Sequence, residues 1–161
     1  MAILIEERTH RAIENLVYEW GRTADEGRHE DLAGLLVEAG EYKVMSRFNL
    51  DRGLPLAVIH TRSRAQLRDR ILSLRVANVY ETQFYRHSIT GIQIIAQHGT
   101  TYEVRANYTV ARIMEHDGST TLFSTGQYRD EIIFEGDTPR FAHHHVVFDS
   151  RAIDTLLVIP L

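Results

Sequence analysis

Cysteine is absent from the 161 residues. That excludes disulfide frameworks, cysteine nucleophiles, thiolate zinc sites and iron–sulfur clusters, including the Rieske type, which needs two cysteines beside its two histidines. Lysine is nearly absent too: 17 of the 18 basic residues are arginine, and Lys43 is the exception. The bias fits a GC-rich genome; physically, the planar guanidinium fork also suits interface and carboxylate pairing better than an ammonium does. There is no excess of positive charge, since 18 basic against 22 acidic side chains leaves −4, which argues against a nucleic-acid binder. Long apolar runs are missing as well. Leu156, Leu157, Val158 and Ile159 form one of the longest, far short of the roughly 20 residues of a membrane-spanning helix. The opening residues show no positively charged stretch leading into an apolar one, so the expected location is the cytoplasm. Phosphate-cradling glycine loops, G-x-G-x-x-G, G-x-S-x-G and H-E-x-x-H motifs are all lacking.

What is present is the make-up of an ordinary globule: 43% apolar and 25% charged residues, enough chain for one full core and read as a single domain over 1–161. Over residues 5–20, Ile13, Leu16, Val17 and Trp20 recur at helical spacing, with Gly21 where a helix would stop. A second short helix is expected over 31–39, closed by Gly40, then a strand over 41–50 and a turn at Asp51 to Pro55. Ser63 with Gln66 forms a capping box opening a helix over 63–77 that stacks Leu67, Ile71 and Leu74. From 84 onward the texture is β: segments 84–98, 101–115, 120–135 and 140–149 are separated by His98-Gly99, Asp117-Gly118 and Gly136-Asp137. Alternation is clean over 101–110, with Tyr102, Val104, Ala106, Tyr108 and Val110 facing one way, and it slips near Ala111 to Ile113, where a bulge is expected. Helices followed by a long antiparallel meander define an α+β domain in which helices back a curved sheet.

Three clusters draw attention. Arg64, Arg68 and Arg75 share a stripe beside the apolar face of helix 63–77, either covering a core edge or facing a partner. Tyr80, Tyr85, Arg86 and His87 gather near the start of the first long strand. There His87 with a tyrosine and an orienting carboxylate, Asp149 or Asp130, would make an acid–base site, or the group would form strand-end and interface contacts. In His143-His144-His145, the outer two project from one strand face and His144 from the other. At most two could hold one metal, a third ligand would come from a neighbouring strand, and the plainer reading is polar residues on a wet or subunit-facing surface. No set of two histidines and one carboxylate stands at a recognisable spacing.

Several strings then converge on one family. Asp69-Arg70-Ile71, Leu74-Arg75, Ala77-Asn78-Val79-Tyr80-Glu81 and Tyr85-Arg86-His87 form the first. Arg112-Ile113-Met114 with Phe123-Ser124-Thr125-Gly126-Gln127-Tyr128 is the second, and Asp149-Ser150, Asp154-Thr155-Leu156 and Ile159-Pro160-Leu161 the third. In order and spacing the chain resembles the small (beta) subunits of bacterial aromatic-ring-hydroxylating dioxygenases, closest to the branch acting on anthranilate, salicylate or terephthalate. The resemblance implies a cystatin-like cone, akin to the nuclear-transport-factor and ketosteroid-isomerase scaffold. It implies a structural subunit without catalytic, cofactor or metal residues of its own, a trimer within a hexamer of three alpha and three beta chains. The Rieske [2Fe-2S] cluster and mononuclear iron would lie in the alpha subunit, with NADH-derived electrons arriving through a separate reductase. Arg64, Arg68, Arg75, Tyr80, Tyr85, Arg86 and His87 then become candidate partner-binding or structural contacts. The competing reading is a stand-alone isomerase, dehydratase or cyclase of the same fold working through His87 in an enclosed apolar pocket.

Overall fold

The computed structural model describes residues 5–76, 80–153, 157 and 159–161. The strings Ala77-Asn78-Val79 and Asp154-Thr155-Leu156 lie outside them. The first helix, α1 (Glu7–Asp25), buries Ile13, Leu16, Val17, Trp20 and Ala24, the stripe that the sequence shows. It does not stop at Gly21. A Cβ there would come within 2.9 Å of Ile89 Cδ1 and 3.0 Å of His87 Cβ, so the glycine is a slot through which the sheet approaches the helix.

The second helix is shorter than expected. After α2 (His29–Leu32) and a single 3₁₀ turn at Ala33–Leu35, the chain turns extended as β1 (Leu36–Ser46). Pairing of Leu36 with Phe141 across the sheet, and capture of the Gly34 and Leu36 carbonyls by the Arg140 and Arg64 guanidinium groups, override the local helical pattern. Gly40 therefore marks an irregularity in the β1 register rather than a helix end; a Cβ would meet the Phe141 carbonyl at 3.0 Å. The expected strand over 41–50 ends early, because Ser46 accepts a hydrogen bond from the Asn49 amide and caps α3 (Arg47–Asp51). β2 (Ile59–Thr61) follows. In α4 (Arg64–Val76) the capping signal is realised: the Gln66 amide donates to Ser63 Oγ, while the Gln66 side chain accepts from the Arg62 amide.

The remaining strands match the sequence reading to within two residues at each end: β3 (Gln83–His98), β4 (Thr101–Met114), β5 (Thr120–Glu135) and β6 (Thr138–Phe148). The register of β4 against β5 slips between Val110 and Ala111, where alternation failed. One sheet results, in the order β2-β1-β6-β5-β4-β3, antiparallel except where β1 lies parallel to β6. Its inner face, carrying Tyr42, His144, Tyr128, Asp130, Tyr108 and Tyr85, closes over α1 and α4. Its outer face carries polar cross-strand rows: Glu41–His143–Glu131–Glu103, and beside it His60–Lys43–His145–Arg129–Arg105.

Candidate functional site

Period-two alternation splits the histidine triplet between the two faces, and the split decides its chemistry. His144 is fully buried, its ring 4.2 Å from Trp20, 4.6 Å from Phe141 and 4.8 Å from Tyr128, with Tyr42 stacked at 5.8 Å. It is not on a wet surface, as the plainer sequence reading had it. Its Nδ1–H donates to Asp130 Oδ1 at 2.8 Å, because the two residues sit opposite each other in the β5–β6 register. Beside the pair, Tyr108 stacks on Tyr128 at 4.8 Å and bonds Ser124 Oγ at 2.9 Å. Burial pushes the phenols of Tyr42, Tyr108 and Tyr128 well above their ordinary range, so all three stay neutral.

Leu161 packs against this cluster. Trp20 Nε1 donates to the Leu161 main-chain oxygen at 2.8 Å, and the Leu161 amide donates to Tyr42 Oη at 3.0 Å. Leu161 itself is fully buried. Trp20 also packs on Tyr42 and Phe141, and His144 lies against all three rings.

His87 has a different partner from the two carboxylates expected for it. Asp130 serves His144, and Asp149 reaches Thr125 and Arg47. The carboxylate on His87 is Asp25, at the end of α1: Oδ1 lies 2.6 Å from His87 Nδ1, and the same carboxylate accepts the His87 amide. Asp25 comes four residues after Gly21, so the slot that admits β3 also delivers the carboxylate. The dyad is an oriented imidazole, but its side chain is 1% exposed and Nε2 has no hydrogen-bond partner among the described residues. Both His87 and Asp25 line a groove of about 870 Å³, together with Tyr18, Arg22, Arg86 and Ser88 among others, and it is open to solvent rather than enclosed. Arg86 is exposed along it and approaches Asp25 at 3.9 Å. Tyr85 is buried against Phe123 at 5.2 Å, and Tyr80 packs partly buried on the core.

Of the arginine stripe, two members are engaged within the chain. Arg64 donates to the Leu36 carbonyl, and Arg75 to Glu30 Oε1 at 2.6 Å and to the Gly27 carbonyl at 2.6 Å. The Arg75 hydrogen bond holds the Glu30 carboxyl down at about 2. Arg68 is exposed, in line with exposed Leu72 and Val76 one and two turns on.

On the outer face the structure assembles what spacing did not show. His143 and His145 project side by side, rings stacked 5.3 Å apart, and Glu41 lies opposite His143 on β1. Glu41 Oε1 accepts from His145 Nε2 at 2.5 Å and Oε2 from His60 Nε2 at 3.0 Å. Burial pushes the Glu41 carboxyl up, but the hydrogen bonds from His60 and His145 and the charge interaction with both rings together outweigh it and hold it below its ordinary value. Burial likewise holds the His145 imidazole below its ordinary value, in spite of Glu41. Glu41, His60 and Asp25 were missed because only strand order and helix docking bring them to the histidines.

A helix-backed cone with these features defines a class, and residues 6–145 match the SnoaL-like domain family. The chain is 32% identical over 137 residues to the anthranilate 1,2-dioxygenase small subunit of Burkholderia cepacia, covering 85% of this chain and 84% of the relative. It is 32% identical over 142 residues to a beta subunit of the terminal oxygenase component of terephthalate 1,2-dioxygenase from a Comamonas species, covering 88% and 92%. Among solved structures, the beta subunit assigned to an aromatic-ring-hydroxylating dioxygenase of Novosphingobium aromaticivorans superposes with a TM-score of 0.85 at 33% identity, over 94% of this chain and 95% of that one. The chain belongs to the SnoaL-like family and, within it, to the small or beta subunits of aromatic-ring-hydroxylating dioxygenases.

Proposed function

We propose that this chain, one domain over residues 1–161, is the structural beta subunit of an oxygenase that hydroxylates a carboxylated arene with O2. The observation that carries this reading is similarity along most of the chain to small and beta subunits of such oxygenases, in keeping with an interior where Trp20, Tyr42, Phe141, His144 and Leu161 are all fully buried. Relatives named for anthranilate and terephthalate, both carboxylated rings, support the substrate class. The reading places the Rieske cluster and the mononuclear iron in the alpha subunit. This chain, with no cysteine, does not fit the Rieske cluster. Electrons would come from NADH through a separate reductase, and the assembly would be a cytoplasmic hexamer of three alpha and three beta chains. Arg68 and Arg86 carry the exposed guanidinium groups offered to a neighbouring subunit, while Arg64, Arg75, Tyr80, Tyr85 and His87 shape the surface beneath them.

The competing reading, an acid–base enzyme centred on His87, draws on the 2.6 Å bond to Asp25. Against it stand an imidazole only 1% exposed, a groove that is open where an enclosed apolar pocket is required, and relatives that are oxygenase subunits. Co-expression with a large-subunit candidate from the same genome tests the proposal. The expected product is a brown complex of about six chains with all its iron in the partner. A colourless chain that purifies alone in the presence of that partner would overturn it.

A further inference from the structure

We propose that Glu41, His143 and His145 form a site for a first-row divalent transition-metal ion, of which Zn2+ is the natural probe, on the outer face of the sheet. Two imidazoles and one carboxylate are a donor set suited to such ions. Their ligand atoms already lie within 4.8 Å of one another: the histidines alternate on β6 and the glutamate comes from the parallel neighbour β1. Donors about 2.0–2.1 Å from a tetrahedral ion stand roughly 3.4 Å apart, so a modest closure completes the set. His143 supplies that movement, being the most exposed of the three at 43%.

The surroundings are those of a supported site rather than a chance cluster. His60 Nε2 holds the second oxygen of Glu41 at 3.0 Å, which orients the carboxylate and leaves Oε1 directed at His145. Glu131 Oε2 stands 3.7 Å from His143 Nδ1, so a small shift of the ring would let the carboxylate accept its N–H while Nε2 turns to the ion. Carboxylates behind ligating imidazoles, and donors behind ligating carboxylates, are the usual outer partners of bound metals. Lys43 and Arg129 flank the site in the adjacent cross-strand row, and Glu41 with Glu131 offsets their charge. With three protein ligands the ion keeps an open position for water or for a donor from another chain. Lying across the β1–β6 pair, it clamps the one parallel junction among the described strands.

The test uses the full, untagged chain stripped with a chelator and dialysed against Zn2+, with metal content and thermal unfolding as readouts. One zinc per chain is expected, together with a rise in melting temperature that EDTA reverses. His143→Asn and Glu41→Gln should each weaken zinc binding by about tenfold or more and abolish the rise. His143→Asn leaves the metal-free fold intact because the side chain is half exposed, and its zinc-free melting curve checks this. Wild-type chain that takes up no zinc overturns the proposal, as does His143→Asn chain that binds zinc as tightly as wild type.

Discussion

His144 and Asp130 show how much one buried polar pair constrains this interior. Both side chains are fully buried, and each has a second polar atom, His144 Nε2 and Asp130 Oδ2, without a hydrogen-bond partner among the described residues. Their mutual bond is therefore the main compensation for two desolvated groups. His144→Phe fills the aromatic box yet strands the carboxylate, and should cost about 3–5 kcal/mol in urea unfolding. Adding Asp130→Leu should recover a large part of that loss, because it removes the stranded group. Strict additivity of the two changes would show that the pair is not coupled. Nothing in the composition distinguishes His144 from its neighbours; the three histidines differ only by which face of β6 they occupy and what stands opposite. Alternation, visible in the sequence, gives the division of faces. The identity of the opposing residues, Asp130, Glu131 and Glu41, requires the register.

Among the elements, α4 is joined to the segment around α2 by the Arg75–Glu30 ion pair. The Glu30 carboxyl is held at about 2, below its ordinary value, by the Arg75 hydrogen bond, so the folded state binds a proton there less readily than the unfolded chain does. A depressed carboxyl stabilises the fold above its unfolded value, near 4.5, and loses that contribution as the pH falls toward 2. Both partners are substantially exposed, at 42% and 59%, so the contribution is at most about 1 kcal/mol. Arg75→Ala should lower stability at pH 6 by that order, and the gap to wild type should shrink between pH 4.5 and pH 2. A gap that stays constant across this window would mean that the Gly27 carbonyl contact, not Glu30, is what Arg75 supplies. At this scale the long strands, the Ser63 cap and the hairpins were legible because each is a local pattern of period, cap or turn residues. The stretch 33–50 was misjudged at both ends, since Leu36 is extended by pairing with Phe141 and Ser46 caps a helix that alternation alone does not announce.

At the scale of the molecule, the last described residues close the cone. Leu161 is buried under Trp20 and Tyr42, 141 and 119 positions away in sequence. Leu161→Ala should cost about 2–5 kcal/mol, the range for a truncated core leucine. Leu56→Ala, at a side chain 72% exposed, should stay within about 0.5 kcal/mol. Equal effects on the urea midpoint would show that Leu161 does not close the interior. By itself the sequence determined α1, α4 and the four long strands, the core stripes of α1, α4 and β4, the lack of any thiolate chemistry and the family strings, because periodicity, composition and motif order are properties of the chain read along its length. Tertiary structure alone decided that β1 lies beside β6, that Asp25 reaches His87, that His144 is sealed with Asp130, and that Glu41 joins His143 and His145. Each of those depends on which strands become neighbours and in what register, and strand neighbours far apart in sequence are chosen by the packing of the whole sheet over its helices.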